Sequence, residues 1–166
     1  MAFVANTKKL TALKAKLGEL SKARVKVGVL QGADESVETE HGELTIAELA
    51  AVHEFGAPSV GIPERSFIRG TFNSPEGQEE ITKFTTELAD QIIKNEVAPR
   101  QALQMLGAKG AAMVRAKIRS HVPPPLKQAT IDRKGSSTPL VDTGHLINAV
   151  SWETVESEDG LKAYKK

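Results

Sequence analysis

The chain contains no cysteine. Disulfides, thiolate zinc sites and a cysteine nucleophile are therefore excluded, and the composition fits a reducing cytoplasm. Aromatic residues make up only 4%, so the core must rest on Leu, Ile, Val and Ala. A surplus of charge is missing too. The 22 Lys and Arg nearly match the 21 Asp and Glu, which argues against a protein that lives on polyanions. No apolar run approaches the roughly 20 residues that span a bilayer, and residues 1–10 lack the apolar segment of a signal peptide. The expectation is a soluble cytoplasmic product with no membrane partner. What is present is 166 residues with a 40% hydrophobic share, enough for one domain with its own core.

Residues 6–21 read as a basic amphipathic helix, forming an N-terminal segment 1–22. Leu10, Leu13, Leu17 and Leu20 share a stripe that Lys8, Lys9, Lys14, Lys16 and Lys22 surround. Residues 24–30 alternate, with Val25, Val27 and Val29 on one face, as a half-buried strand does. Residues 31–42 are acidic and turn-rich and read as a loop. Thr45 and Glu48 have the spacing of a capping box, and the helix they open ends at Gly56 and Pro58. Residues 59–67 read as extended, with Pro63 fixing one backbone angle. Ser74-Pro75 and Pro99 open two helices that form a hairpin of about equal arms. Their stripes are Ile81, Phe84, Leu88 and Ile92, then Leu103, Leu106, Met113, Val114 and Ile118. Gly107 and Gly110 mark close packing or a soft point. Three prolines, Pro123 to Pro125, make 121–138 a long Pro-rich loop. Asp142 or Thr143 caps a short turn carrying Leu146 and Ile147. Residues 149–155 read as a strand that turns at Asp159-Gly160 and pairs with 161–164. The expected fold is α+β: a single domain, 1–166, with a small antiparallel or mixed sheet packed against a helical hairpin and additional helices.

No set of residues is arranged for catalysis. His53-Glu54 lacks the second His of a zinc helix, because position 57 is Ala. His41, His121 and His145 have no mutual ligand spacing. Asp142-Thr143-Gly144-His145 sets an acid, a hydroxyl and an imidazole side by side, but neighbours in a helical turn diverge. Lys134-Gly135-Ser136 matches the end of a phosphate loop, yet Thr130 stands where its first Gly belongs. A metal-dependent hydrolase built from dispersed His and acids would have to converge in space.

Two surfaces are candidates for binding. Lys8, Lys9, Lys14 and Lys16, with Lys127, Arg133 and Lys134, are candidates to line a DNA channel. No aromatic is interleaved to stack on bases, so such contacts would go to phosphate and be independent of sequence. A solvated lysine face is the alternative. In an extended segment Arg65, Phe67 and Arg69 share one side, and Arg and aromatics dominate protein contacts. Alternatively Phe67 plugs the core while the arginines stay wet.

His53-Glu54-Phe55-Gly56 is followed by Ile62, Pro63, Arg65 and Phe67. Later come Lys134-Gly135-Ser136, Pro139, Leu140, Asp142-Thr143-Gly144 and Leu146. In order and spacing these blocks resemble the neck proteins of long-tailed bacteriophages, also called tail-completion or head–tail joining proteins, from about residue 23 onward. The resemblance implies a structural virion subunit with neither enzymatic activity nor cofactor or metal. It implies a homo-oligomeric ring, a hexamer or dodecamer, in the neck of the virion, assembled in the cytoplasm of the host bacterium. The implied partners are the connector or head-closure protein, the tail terminator or tail tube, and the genomic DNA in the channel. Phe55, Pro63, Arg65, Phe67, Arg69, Asp142 and His145 become the candidate protein-interface residues, and segments 31–42 and 123–138 the candidates to order on docking. On this reading Arg65→Ala or Phe67→Ala leaves a folded subunit that joins particles poorly. The basic first helix lies outside the resemblance and supports the alternative, a small non-sequence-specific DNA-binding module of a mobile element.

Overall fold

The computed structural model describes residues 7–30, 35–39, 42–135, 137–141 and 143–156. In order they form α1 (Thr7–Leu20), β1 (Ala23–Val29), β2 (Ser36–Thr39), β3 (Gly42–Thr45) and α2 (Ile46–Phe55). A 3-10 turn (Pro58–Val60), α3 (Arg69–Phe72), α4 (Pro75–Lys94) and α5 (Pro99–Arg119) follow. The last elements are α6 (Gln128–Lys134), α7 (His145–Ala149) and β4 (Val150–Glu156). The fold is α+β, with two separate two-stranded antiparallel sheets, β1–β4 and β2–β3.

α4 and α5 form the expected hairpin, 20 and 21 residues long. Ser74 accepts from the Gly77 amide at 3.1 Å and Pro75 follows it, so the first turn of α4 is fixed from both sides. Asn95, in the left-handed region at φ 65°, ends the helix. Ribbon β1–β4 lies against α5, with Val27 opposite Trp152. This contact explains the two α5 glycines. A Cβ on Gly107 would stand 2.4 Å from Trp152 Cε3, and one on Gly110 3.0 Å from Val27 Cγ2. They mark close packing, not a soft point. The main core gathers Ala50, Phe67, Ala111, Val114, Ile118, Val122, Leu140, Leu146, Ile147 and Val150. A smaller one, of Leu88, Ile92 and Ala102, lies toward the start of α5, where Leu20 of α1 packs on it. The capping box of α2 is present. Glu48 N donates to Thr45 Oγ1 at 3.2 Å and Thr45 N to Glu48 Oε2 at 2.9 Å.

Several local expectations give way. α1 forms but buries no residue, and Leu10 and Leu17 stay exposed. The acidic stretch read as a loop includes a hairpin from Ser36, because Val37 and Thr39 supply strand-favouring alternation that its charge obscures; residues 31–34, 40 and 41 lie outside the described part. Chain 59–67 is not extended throughout, since the Pro58 turn reaches Val60 and Gly61 closes it in the left-handed region. Part of the Pro-rich loop, Gln128–Lys134, is helix. The prolines end at 125, Gln128 Nε2 donates to Asp132 Oδ1 at 2.8 Å across one turn, and Gly135 caps the end with its amide on Ile131 O. Gly144, at φ 88°, is the N-cap of α7 in place of Thr143, and no side chain caps that turn. β4 pairs with β1; the expected hairpin at 159–164 lies outside the described residues. No helix among them is long and apolar enough to cross a membrane.

Candidate functional site

In α2, Ile46, Ala50 and Glu54 fall at i, i+4 and i+8 and are all buried. The apolar stripe of the helix thus ends in an inward carboxylate, 4% exposed. The chain then folds back on the helix end. Ala57 and Ile62 exchange backbone hydrogen bonds at 2.8 and 3.1 Å, and Arg65 N donates to His53 O at 2.8 Å. Gly56 permits this return. It sits at φ 75°, and a Cβ there would stand 2.7 Å from Glu64 N.

The return delivers residues 66–69 to the Glu54 carboxylate. Phe67 N and Ile68 N donate to Oε2, each at 2.8 Å. Ser66 Oγ donates to Oε1 at 2.7 Å, Arg69 N at 2.9 Å and Arg69 Nε at 3.0 Å. Three successive amides and two side-chain donors saturate the group, as an anion in a backbone nest. Burial alone would raise its pKa, but the amides of Ile68 and Arg69, the Ser66 hydroxyl and the Arg69 side chain outweigh it and leave the pKa below the usual value. A carboxylate so occupied is a structural tie; it has no acceptor left for a substrate proton.

Arg69 extends the tie to the surface. Its Nη2 donates to Glu54 O at 2.8 Å and to Glu64 Oε1 at 3.0 Å, and its guanidinium lies 4.8 Å from the Phe55 ring centroid. Arg65 turns the other way. It is 6% exposed, and its Nε donates to Pro124 O at 2.9 Å, fastening the proline run to the segment. Burial lowers its pKa.

The candidate interface residues therefore separate. Phe55, Pro63 and Arg69 are exposed, whereas Arg65 and Phe67 are buried. Phe67, with no exposed surface, takes the core alternative, and Arg65 is not wet. The three do not share one side, because α3 starts at Arg69 and turns the chain. His145 is half-buried, its Nδ1 3.5 Å from Glu35 Oε1; Asp142 lies outside the described residues. Among the candidate DNA-facing residues, Lys8, Lys9, Lys14 and Lys127 are exposed, and the side chains of Arg133 and Lys134 lie outside the described part. Lys16 is committed elsewhere: its Nζ donates to Ile92 O and, at 2.8 Å, to Asn95 Oδ1, a cation on the carbonyl end of α4. Sequence reasoning missed Glu54, Glu64 and Ser66. The usable signal was an acid placed on the apolar stripe of α2.

No three His, Asp or Glu side chains among the described residues are placed to hold a metal ion. Comparison with protein-family models, with curated proteins and with solved structures found no match to this chain.

Proposed function

We propose that the chain is a structural subunit of a bacteriophage neck, forming a ring that joins the DNA-filled head to the tail. One observation carries most weight. The two sequence blocks behind the resemblance, far apart in the chain, contribute to a single core, which gathers Phe67 of the first with Leu140 and Leu146 of the second. Within the first block, Glu54 ties the helix end to the Arg65–Phe67–Arg69 segment. The blocks thus work together as a scaffold, the role that a building block requires. The outward-facing part of that scaffold is Phe55, Pro63 and Arg69, and these become the proposed contacts to neighbouring neck or tail proteins.

The test is electron microscopy of lysates from a phage carrying an early stop codon in this gene. Free filled heads beside free full-length tails are expected. Heads without finished tails would move the protein to tail termination, and emptied heads to closure of the connector. Normal infectious particles would refute the virion reading. A second reading, a DNA-binding module, draws on the exposed Lys8 and Lys14. It requires salt-dependent binding of duplex DNA, and no gel shift at low salt would end it.

A further inference from the structure

The near-neutral total conceals a separation of charge along the chain. Residues 1–26 hold seven Lys or Arg and one Glu, while residues 27–64 hold eight Asp or Glu and no Lys or Arg. Within these blocks, α1 and hairpin β2–β3 each leave an incomplete surface.

The first is α1. It touches the body through Leu13, Lys16 and Leu20, which are half-buried, but no residue of it is buried. Leu10 and Leu17, 51% and 56% exposed, leave one edge of the apolar stripe open. Lys14 lies one turn from each of them and shares that edge. A 14-residue helix with no buried side chain gains little from packing, and helices of this length are marginal alone. The second surface is hairpin β2–β3. An isolated two-stranded ribbon is itself marginal, and this one sets Glu38 directly opposite Glu43, a cross-strand pair of like charges that destabilises it. No ion pair joins either carboxylate to a cation among the described residues. The other acidic face, on α4, is partly neutralised, since Lys94 pairs with Asp90 and Lys109 with Glu80.

We infer that the open Leu10–Lys14–Leu17 edge of α1 docks on hairpin β2–β3 of a second copy of this chain. Charge selects the occupant. Pairing α1 with another α1 would face Lys14 with Lys14, whereas Glu38 and Glu43, the latter accepting from the Ser36 hydroxyl, have no cation paired with them among the described residues and flank the half-exposed Val37 and Leu44. The contact cannot close within one chain. α1 joins the smaller cluster through Leu20, together with Ala102 in the first turn of α5, while α2, which β3 leads into, joins through Ala50 the main cluster that holds Val114 and Ile118 of the second half of α5. α5 is roughly 31 Å long at 1.5 Å per residue. Complementary patches at opposite ends of a subunit make a heterologous, head-to-tail contact, which closes into a ring or grows into a filament. The inference deepens the ring reading above and rests on it only for closure of the circle.

Two variants of the full chain test it by sedimentation velocity. One carries Lys14→Glu, the other Glu38→Lys and Glu43→Lys. All three side chains are exposed, and circular dichroism checks that both variants fold. Wild-type protein is expected to self-associate at low salt and to weaken as salt rises. Each variant alone should associate roughly tenfold or more weakly. An equimolar mixture should regain association, because every α1–hairpin junction in it is again complementary. Variants that associate as wild type does would overturn the inference and leave the ring reading intact, with its contact elsewhere. A mixture that stays dissociated would also overturn it. So would a wild type that is monomeric at low salt, with or without a shift of duplex DNA; the stop-codon phenotype then judges the neck reading separately.

Discussion

Replacing Glu54 with Gln changes one atom and tests the organising role assigned to the carboxylate. If the Gln carbonyl takes the place of Oε2, the amides of Phe67 and Ile68 keep their acceptor. The new NH2 group then faces Arg69 N and Arg69 Nε, both donors, and Ser66 Oγ, which can rotate and accept. Two donors lose their partner. A stranded buried donor costs about 1–3 kcal/mol. The Arg69 side chain is 45% exposed, so its Nε can turn to water, and the lost ion pair adds at most about 1 kcal/mol. The expected loss is about 3 kcal/mol, or roughly 6–12 °C in Tm for a chain of this size. Urea titration and a thermal melt measure it directly.

The same variant predicts a pH dependence. The pKa of Glu54 in the folded chain lies below its usual 4.5, so the folded state holds this proton less tightly than the unfolded one. The stabilisation is complete above about 4.5 and is lost as pH falls through the folded value. Gln has no proton to gain there. The gap between wild type and Glu54→Gln should therefore be widest at neutral pH and narrow in acid. A gap below about 0.5 kcal/mol at pH 7, within the range of ordinary surface substitutions, would refute the clamp. A gap that stays constant as pH falls would refute the account of its titration.

Phe67→Ala should cost about 3–5 kcal/mol, as for a fully buried aromatic, and show as a collapsed urea midpoint. Phe55→Ala, at a side chain 62% exposed, should leave that midpoint within about 0.5 kcal/mol while lowering particle joining. Gly107→Ala should lower Tm despite the better helix propensity of Ala, because the Cβ must displace the Trp152 ring and overpacking costs about 1–3 kcal/mol; a rise in Tm would mean that the ribbon gives way freely. Arg65→Met keeps an unbranched buried side chain as far as the position of Nε but removes the donor to Pro124 O. It should speed amide exchange of residues 126–128, and unchanged exchange would show that the proline run is held by other contacts.

Local rules read much of this fold from the sequence. The capping box at Thr45, Ser74-Pro75, Pro99, and the stripes of α4 and α5 are each decided by neighbours within a turn or two, and each is found in the structure. What failed was decided at long range or concealed by composition. Acid content hid the β2–β3 hairpin, and the proline triplet hid α6 just beyond it. Whether Phe67 plugs the core or faces a partner could not be decided within residues 65–69. The deciding group, Glu54, lies more than ten residues upstream, and it bends the chain so that Arg65 and Phe67 turn in while Arg69 turns out.

That bend alters what the motif resemblance can mean. The Glu54 tie holds Ser66 and the backbone of Phe67 in place, His53 O and Pro124 O hold Arg65, and substituting any of these residues disturbs the backbone around it before it disturbs a partner. A joining defect in Arg65→Ala or Phe67→Ala would therefore say little about contacts, contrary to the expectation that both leave an intact subunit. Phe55 is different. It projects from the end of α2 against the Arg69 guanidinium, whose N–H groups Glu54 and Glu64 hold by hydrogen bonds. An exposed ring held against an oriented cation already has part of its conformational freedom removed, which lowers the cost of burying it in an interface. The informative experiment is consequently Phe55→Ala and Phe67→Ala in parallel. Lost joining at unchanged Tm in the first, with lowered Tm in the second, separates surface from scaffold. Normal joining by Phe55→Ala would remove the exposed end of this motif from the neck contacts.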